Sequence, residues 1–152
     1  MIDTIKIYTM INKITYDKIY HNSILKTSYN QKNGEIFYEI VNDKLEGSYS
    51  SSLSVRVGTG AKYKFVNMYY LEIEGSFHKI MKGYNSHNGY YNLSYIVNYL
   101  IGAVSYAYDV KLPSLKHWFL QRLDVAICFN LSCNSDVRKY INNLSLCSYP
   151  RR

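Results

Sequence analysis

The segment YLEIEGS, residues 70–76, carries the pattern that decides the fold. Leu71 and Ile73 alternate with two glutamates, and side chains that alternate in this way point to opposite faces of a β-strand. The apolar face must pack against a core, whereas the two carboxylates point away from it. We therefore predict a long strand over residues 64–76, in a sheet with one covered face.

Four other segments alternate in the same way, and three segments are predicted to be helical from their caps or from an apolar period of about 3.6 residues. Thr15 and Asn92 are the expected caps of the first two helices. The predicted strands cover residues 3–11, 33–41, 51–60 and 117–131, and the predicted helices cover residues 15–24, 93–108 and 134–144.

The last strand and the last helix have apolar faces that we expect to lie in the core. One strand face carries Leu123, Val125, Ile127 and Phe129. The helix face carries Val137, Tyr140, Ile141 and Leu144.

The order β, α, β, β, β, α, β, α predicts an α+β fold. We expect an antiparallel sheet of about five strands with two or three helices packed mainly on one face. No Gly/Ser/Pro-rich linker interrupts the 152 residues, so residues 1–152 are predicted to form a single domain.

Several features favour a cytoplasmic protein with no membrane partner. The first residues form a strand-like pattern with an acid at position 3, unlike a signal peptide. The apolar stretch over residues 93–108 is broken by polar residues and glycine, so it is too polar to span a bilayer. Three cysteines without framework spacing are expected to be reduced thiols.

The net charge of +7 is concentrated in the second half of the chain. Residues 1–74 hold nine Lys/Arg and eight Asp/Glu, whereas residues 75–152 hold nine and three. A basic half that also contains aromatic residues is typical of proteins that bind nucleic acid. The ordinary alternative is a solvated surface without a partner.

Acidic residues from two predicted strands could meet on one face of the sheet. Glu72 and Glu74 share a face of the first strand, and Arg122 and Asp124 share a face of the last one. If the strands are neighbours, these carboxylates could bind a hard divalent cation such as Mg²⁺ or Mn²⁺. The alternative is an ion pair of Arg122 with Glu72 or Glu74 on a solvated face.

The residues after this acidic strand are predicted to form a basic loop with glycine hinges at Gly75, Gly83 and Gly89. Such a backbone can approach a phosphate group closely. The donors expected to contact DNA in the loop are Ser76, His78, Lys79, Lys82 and Asn85.

Two motifs resemble replication initiators that act by the rolling-circle mechanism. The segment EGSFHKIMKGYNSHNG is similar to an S-x-x-K-x-x-x-G-x-N segment near the N-terminus of filamentous-phage gene II-type proteins. RLDVAICFN, residues 122–130, resembles an R-h-D-h-x strand of the same family and of plasmid initiators. With the opening MIDTIKIY and the closing YPRR, the resemblance spans nearly the whole chain.

The resemblance implies origin recognition and strand nicking by a tyrosine nucleophile, with a divalent metal that polarises the scissile phosphate. Asp124 matches the position of a metal ligand in plasmid initiators, and Cys128 stands where a second acid is common. None of the 18 tyrosines matches the family's nucleophile motif. We therefore expect the nucleophile beyond Arg152, in the remainder of a longer initiator.

Three hypotheses follow. In the first, the chain is the DNA-binding domain of a rolling-circle initiator and contacts phosphates also through Arg122, Arg151 and Arg152. In the second, it is a non-catalytic regulatory or DNA-binding protein derived from such an initiator. In the third, the resemblance is accidental and the chain is a small α+β domain with a protein partner.

Overall fold

The computed structural model describes residues 2–23, 26–32, 35–47, 51–59, 68–83, 92–126 and 133–146. Within these ranges the chain forms six strands, four α-helices and one short 3-10 helix. In chain order they are β1 Ile2–Ile11, α1 Lys13–Asn22, β2 Lys26–Lys32, β3 Glu35–Glu46, β4 Ser52–Thr59, β5 Tyr69–Gly75, α2 Phe77–Lys82, α3 Leu93–Tyr108, the 3-10 helix Leu115–His117, β6 Phe119–Val125 and α4 Asn134–Leu146.

The strands form one sheet in the order β2-β3-β4-β5-β1-β6, and each neighbouring pair is antiparallel. The predicted α+β class is therefore confirmed, with six described strands where about five were expected. The strand that the sequence pattern does not predict is β2, whose residues KTSYNQK are nearly all polar. It pairs along its whole length with β3, which was predicted.

The core lies on one face of β1, β4 and β5 and is covered by helices. Alternate residues of each strand point into it, as the pattern in YLEIEGS predicts. The strands contribute Ile5, Ile7, Leu53, Val55, Val57, Leu71 and Ile73, and the helices contribute Tyr16, Ile19, Phe77, Ile80, Ile96, Leu100 and Val104.

The helices begin where side chains can satisfy backbone N–H groups. Asn92 accepts a hydrogen bond from the backbone N–H of Tyr95, so its predicted role as the cap of α3 is confirmed. In α1 the cap is Asn12, which accepts from the N–H of Thr15 at 2.8 Å. Thr15 is therefore not the cap that we expected, because the helix begins before it and Thr15 is itself buried.

The two strands that carry the predicted acidic face are not neighbours. β1 lies between β5 and β6 and pairs with both. A register shift between Lys6 and Ile7 also interrupts the strict alternation expected along β6, because Arg122 and Leu120 face consecutive residues of β1. The direct contact that we expected between the Glu72 strand and the Asp124 strand is therefore replaced by contacts across β1.

The apolar residues of β6 and α4 are more exposed than predicted. β6 is the last strand of the described sheet, and its Leu123 and Val125 are 37% and 59% exposed. Val137, Tyr140 and Ile141 of α4 are also exposed, so the inward-facing prediction is wrong for these side chains. Ile127 and Phe129 lie outside the described residues. None of the helices in the described ranges is long and apolar enough to cross a membrane.

Substitution of matched leucines tests which strands hold the core. Leu71 in β5 has an exposure of 0%, so Leu71→Ala should lower the free energy of unfolding by about 3 kcal/mol. Leu120 in β6 is 50% exposed, so Leu120→Ala should lower it by less than about 1 kcal/mol. Equilibrium unfolding in urea measures both values. Equal losses would contradict the central position of β5 and the edge position of β6.

Candidate functional site

A chain of alternating charges crosses the sheet on the face opposite the helix-covered core. Glu72 of β5 pairs with Arg56 of β4 at 2.5 Å and with Lys6 of β1 at 3.0 Å. Lys6 also lies 3.3 Å from Glu74 of β5. The register explains these contacts, because Glu72 is opposite Arg56 in the neighbouring strand and Glu74 is opposite Lys6.

The same chain of charges continues to the edge strand β6. Arg122 is opposite Lys6, and its guanidinium lies 3.4 Å from Glu74 and 2.6 Å from Asp124. The carboxylate of Asp124 raises the pKa of Arg122 above its usual value. The predicted sharing of one face by Glu72, Glu74, Arg122 and Asp124 is thus observed, with Lys6 between the two halves.

Glu72 is the most demanding member of this network because only 1% of it is exposed. A carboxylate without water around it needs opposite charges at short distance. Removal of one partner of a buried ion pair leaves an uncompensated charge and costs about 3–5 kcal/mol. Glu74 and Asp124 have more exposed side chains, at 29% and 37%, and depend less on their partners.

These residues do not fit a divalent metal ion in this arrangement. The three carboxylates of Glu72, Glu74 and Asp124 are each bound to lysine or arginine, so the three acids face three cations in one neutral network. Among the described residues, no three His, Cys, Asp or Glu side chains come together as a metal site. The ion-pair alternative therefore describes their geometry, and Mg²⁺ or Mn²⁺ binding stays a prediction.

The glutamates allow a matched test of the network. Glu72→Gln should lower the free energy of unfolding by about 3 kcal/mol, since Arg56 and Lys6, whose side chains are only 29% and 18% exposed, lose the buried carboxylate between them. Glu74→Gln should lower it by less than about 1 kcal/mol, because Glu74 is partly exposed. Urea unfolding of the two variants measures the difference.

The same proteins test the metal alternative. Addition of MgCl₂ or MnCl₂ at constant ionic strength should leave the melting temperature of the unsubstituted chain unchanged. A ligand that binds only the folded state would raise the melting temperature. A rise that disappears in Glu72→Gln and Glu74→Gln would contradict the ion-pair account and favour a metal site.

The segment that follows Gly75 begins with a helix, where the sequence predicted a loop. α2 covers Phe77–Lys82 and ends at Gly83, whose φ of 78° lies in the left-handed region that favours glycine. The hinge role expected of Gly83 is therefore that of a helix C-cap. Lys79 and Lys82 are exposed in the last turn, where a positive charge interacts favourably with the helix dipole.

The helix buries two of the residues expected to contact DNA. His78 has an exposure of 0%, and the ring of Phe77 lies edge-on to it with centroids 5.8 Å apart. The Oγ atom of Ser76 is also buried, and no described group hydrogen-bonds to it. Burial of both polar groups disfavours direct phosphate contacts by these two residues, and their contacts with DNA stay a prediction. Asn85, Arg151 and Arg152 lie outside the described residues.

The buried imidazole predicts a dependence of stability on pH. Burial lowers the pKa of His78 below its ordinary value of 6.5, and the charge of Lys82 lowers it further. The unfolded chain therefore binds the proton more readily, so the free energy of unfolding is greatest above pH 6.5 and decreases below it. The substitution His78→Gln should make the free energy of unfolding decrease less between about pH 7.5 and about pH 5.5.

The matched control for His78 is His21, which lies at the exposed end of α1. His21→Gln shows how much of any effect comes from the removal of an exposed imidazole. Urea unfolding at several pH values measures the slope, which separates the titration of His78 from any uniform loss of stability. An unchanged slope in His78→Gln would contradict the burial of a neutral imidazole.

Six exposed lysine and arginine side chains in the second half of the chain differ from the cations of the charge network in the sheet. Within the described ranges, none of them forms a salt bridge with a carboxylate, in contrast to Lys6, Arg56 and Arg122. They are Lys79, Lys82, Lys111, Lys116, Arg138 and Lys139.

Among the tyrosines that the structure describes, the one with the most strongly raised pKa is not prepared for nucleophilic attack. Tyr108 is buried, and its hydroxyl donates a hydrogen bond to Asp43 at 2.6 Å. Burial raises the pKa of Tyr108 far above its usual range, and the Asp43 carboxylate raises it further. Such a phenol is less easily ionised than tyrosine in water, so it is a poor nucleophile, and its hydrogen bond to Asp43 joins α3 to β3.

Sequence patterns did not indicate two pairs of residues that contribute to these surfaces. Lys6 and Arg56 are single cations in apolar strands, and only the register with β5 shows that they flank Glu72. The rings of Tyr8 and Phe119 stack across β1 and β6 with centroids 5.1 Å apart. Their alignment also depends on the register, which no local motif predicts.

Comparison with known protein families identifies the class of protein to which this sheet and its charged surface belong. The family model for the N-terminal region of a replication-associated phage protein matches residues 1–151. The chain therefore belongs to this replication-associated family, as the resemblance implied, and the hypothesis of an accidental resemblance is excluded. No curated protein matches the chain, and no solved structure matches it.

Proposed function

We propose that this chain is a DNA-binding domain that recognises a replication origin for a rolling-circle initiator. Membership of the replication-associated family supports a role in replication. The observation that carries the binding proposal is the set of exposed cations in the second half of the chain. These side chains have no described carboxylate partner that would compete with a phosphate.

The division between paired and unpaired cations supports a peripheral binding surface. The central cations neutralise Glu72, Glu74 and Asp124, so the middle of the sheet has no net charge to attract a polyanion. The exposed lysines of α2 carry the excess instead. Each phosphate that such a lysine neutralises releases a counterion, which favours binding at low salt.

Arg122 shares features with both the cations paired within the sheet and the exposed cations of the second half. Its side chain is 56% exposed, but its guanidinium is already bound to Asp124 and Glu74. It can meet a phosphate only by sharing or exchanging these partners. We therefore assign the larger share of the phosphate contacts to Lys79 and Lys82.

The binding proposal predicts a steep salt dependence that a double substitution should reduce. Fluorescence anisotropy with a labelled duplex of about 30 base pairs measures the dissociation constant at about 50–300 mM KCl. Lys79→Gln with Lys82→Gln should weaken binding and lower the slope of log Kd against log [KCl] by about 2, since each lost phosphate contact contributes about 0.9.

The control is the double substitution Lys13→Gln with Lys44→Gln, which removes the same charge from exposed positions in the first half of the chain. It should leave the slope unchanged. Binding of the unsubstituted chain that does not depend on salt would contradict the phosphate contacts. Equal effects of the two double substitutions would show that net charge, and not the α2 surface, determines binding.

Origin recognition requires a further comparison at fixed salt. A duplex that carries the non-coding DNA of the replicon that encodes this chain should compete better than a composition-matched duplex at about 150 mM KCl. Equal competition would limit the function to non-specific binding. Both the initiator and the regulatory hypothesis include this binding step. Strand nicking stays a prediction from the resemblance, and a DNA partner would place the protein in the cytoplasm.

A further inference from the structure

A surface cavity lies where β6 begins beside the end of β1. β6 pairs with β1 only as far as Tyr8, so Thr9 and Met10 lie beyond the last paired residue. The connection that leads into β6 closes the other side of the opening. The cavity has a volume of about 500 Å³ and is lined by Thr9, Met10, Pro113, Ser114, Lys116, His117 and Phe119.

An aromatic platform forms one wall of this cavity. The rings of Phe119 and Tyr8 are stacked, with centroids 5.1 Å apart and planes inclined by 22°. Phe119 is nevertheless 53% exposed, so a further planar ring can stack on it. Stacking on aromatic side chains is the main way in which proteins hold unpaired bases, and each base contributes about 1–3 kcal/mol.

The rest of the lining suits a base with an attached phosphate. Ser114 and His117 offer polar groups, and the exposed Lys116 offers a positive charge. The hydrogen bond between Ser114 Oγ and His117 Nδ1 leaves Nε2 of the imidazole for another partner. None of the lining residues that the structure describes is acidic, and Lys116 attracts an anion.

The wall opposite β1 is fixed before any ligand arrives. The indole N–H of Trp118 donates to the carbonyl of Pro113 at 3.0 Å, and the N–H of His117 donates to the carbonyl of Ser114 at 2.9 Å. The hydroxyl of Thr9 donates to the carbonyl of His117 at 2.9 Å, which joins this turn to β1. A preformed site loses less conformational entropy on binding.

We propose that this cavity binds an unstacked nucleobase together with its adjoining phosphate. The base stacks on Phe119, polar groups of Ser114 and His117 contact its edge, and Lys116 contacts the phosphate. A base inside a duplex cannot expose its face in this way, so the site selects single-stranded DNA or a free nucleotide. The inference rests on the proposed DNA-binding function and gives it a single-strand site distinct from the α2 surface.

The test compares labelled oligothymidine of about 12 nucleotides with a labelled duplex, by fluorescence anisotropy. Phe119→Leu removes the stacking face and keeps an apolar side chain, so it should weaken oligothymidine binding by about tenfold. Phe119→Tyr keeps the ring and should stay within about twofold of the unsubstituted chain. Duplex binding should be equal in all three proteins.

Lys116 provides a second substitution that does not alter the ring stack. Lys116→Gln should weaken oligothymidine binding, whereas Lys44→Gln, at an exposed position of β3, should not. Trp118 is the only tryptophan of the chain and stands between His117 and Phe119 of the lining, so binding in the cavity should change its fluorescence. Oligothymidine should change this emission in the unsubstituted chain and change it less in Phe119→Leu at the same concentration.

The outcomes separate this inference from the proposed function. Equal oligothymidine affinity in Phe119→Leu, Phe119→Tyr and the unsubstituted chain, with no change in Trp118 emission, would overturn the nucleobase site even if duplex binding depends on salt. If the unsubstituted chain binds oligothymidine but not the duplex, this result contradicts the proposed function and supports the nucleobase site. Thymidine monophosphate that changes the emission as strongly as oligothymidine would support the site and identify a free nucleotide as its ligand.

Discussion

The buried carboxylate of Glu72 is the constraint on which the sheet depends. It lies on a central strand and is 1% exposed, so it requires Lys6 and Arg56 on the strands to either side. A shift of one residue in either pairing would move these cations to the core face and leave the charge unpaired. The network thus favours one register across β4, β5 and β1, in addition to the apolar contacts of the opposite face.

The pairing of cations with the buried Glu72 and its neighbours also determines which basic residues are available to bind a polyanion. Because Lys6, Arg56 and Arg122 are used within the sheet, they contribute little to the attraction of a polyanion. The other cations of the second half that the structure describes lie on α2, near the 3-10 helix and on α4, outside this network. Phe119 and Lys116 of the cavity also belong to this half, so the cations proposed to contact a duplex and a single strand share the basic part of the sequence.

Local patterns predicted the faces of the strands but not their order. Alternation separated Glu72 and Asp124 from the apolar residues of their own strands, because the period of two residues is a property of each strand alone. It could not show that β1 separates them, since this depends on pairing between distant parts of the chain. The burial of His78 was missed for a related reason: a six-residue helix has too few residues for an apolar period, so glycines favoured a loop. The polar strand β2 depends on its pairing with β3.

A backbone amide NMR titration of the chain with a short duplex distinguishes most directly between the two groups of cations as DNA contacts. The central claim is that unpaired cations at the periphery, and not the charge network of the sheet, contact DNA. The largest chemical-shift changes are expected at Lys79, Lys82 and neighbouring amides, with little change at Arg56 and Glu72. Changes centred on Lys6, Arg56 and Glu72, with none in α2, would contradict it.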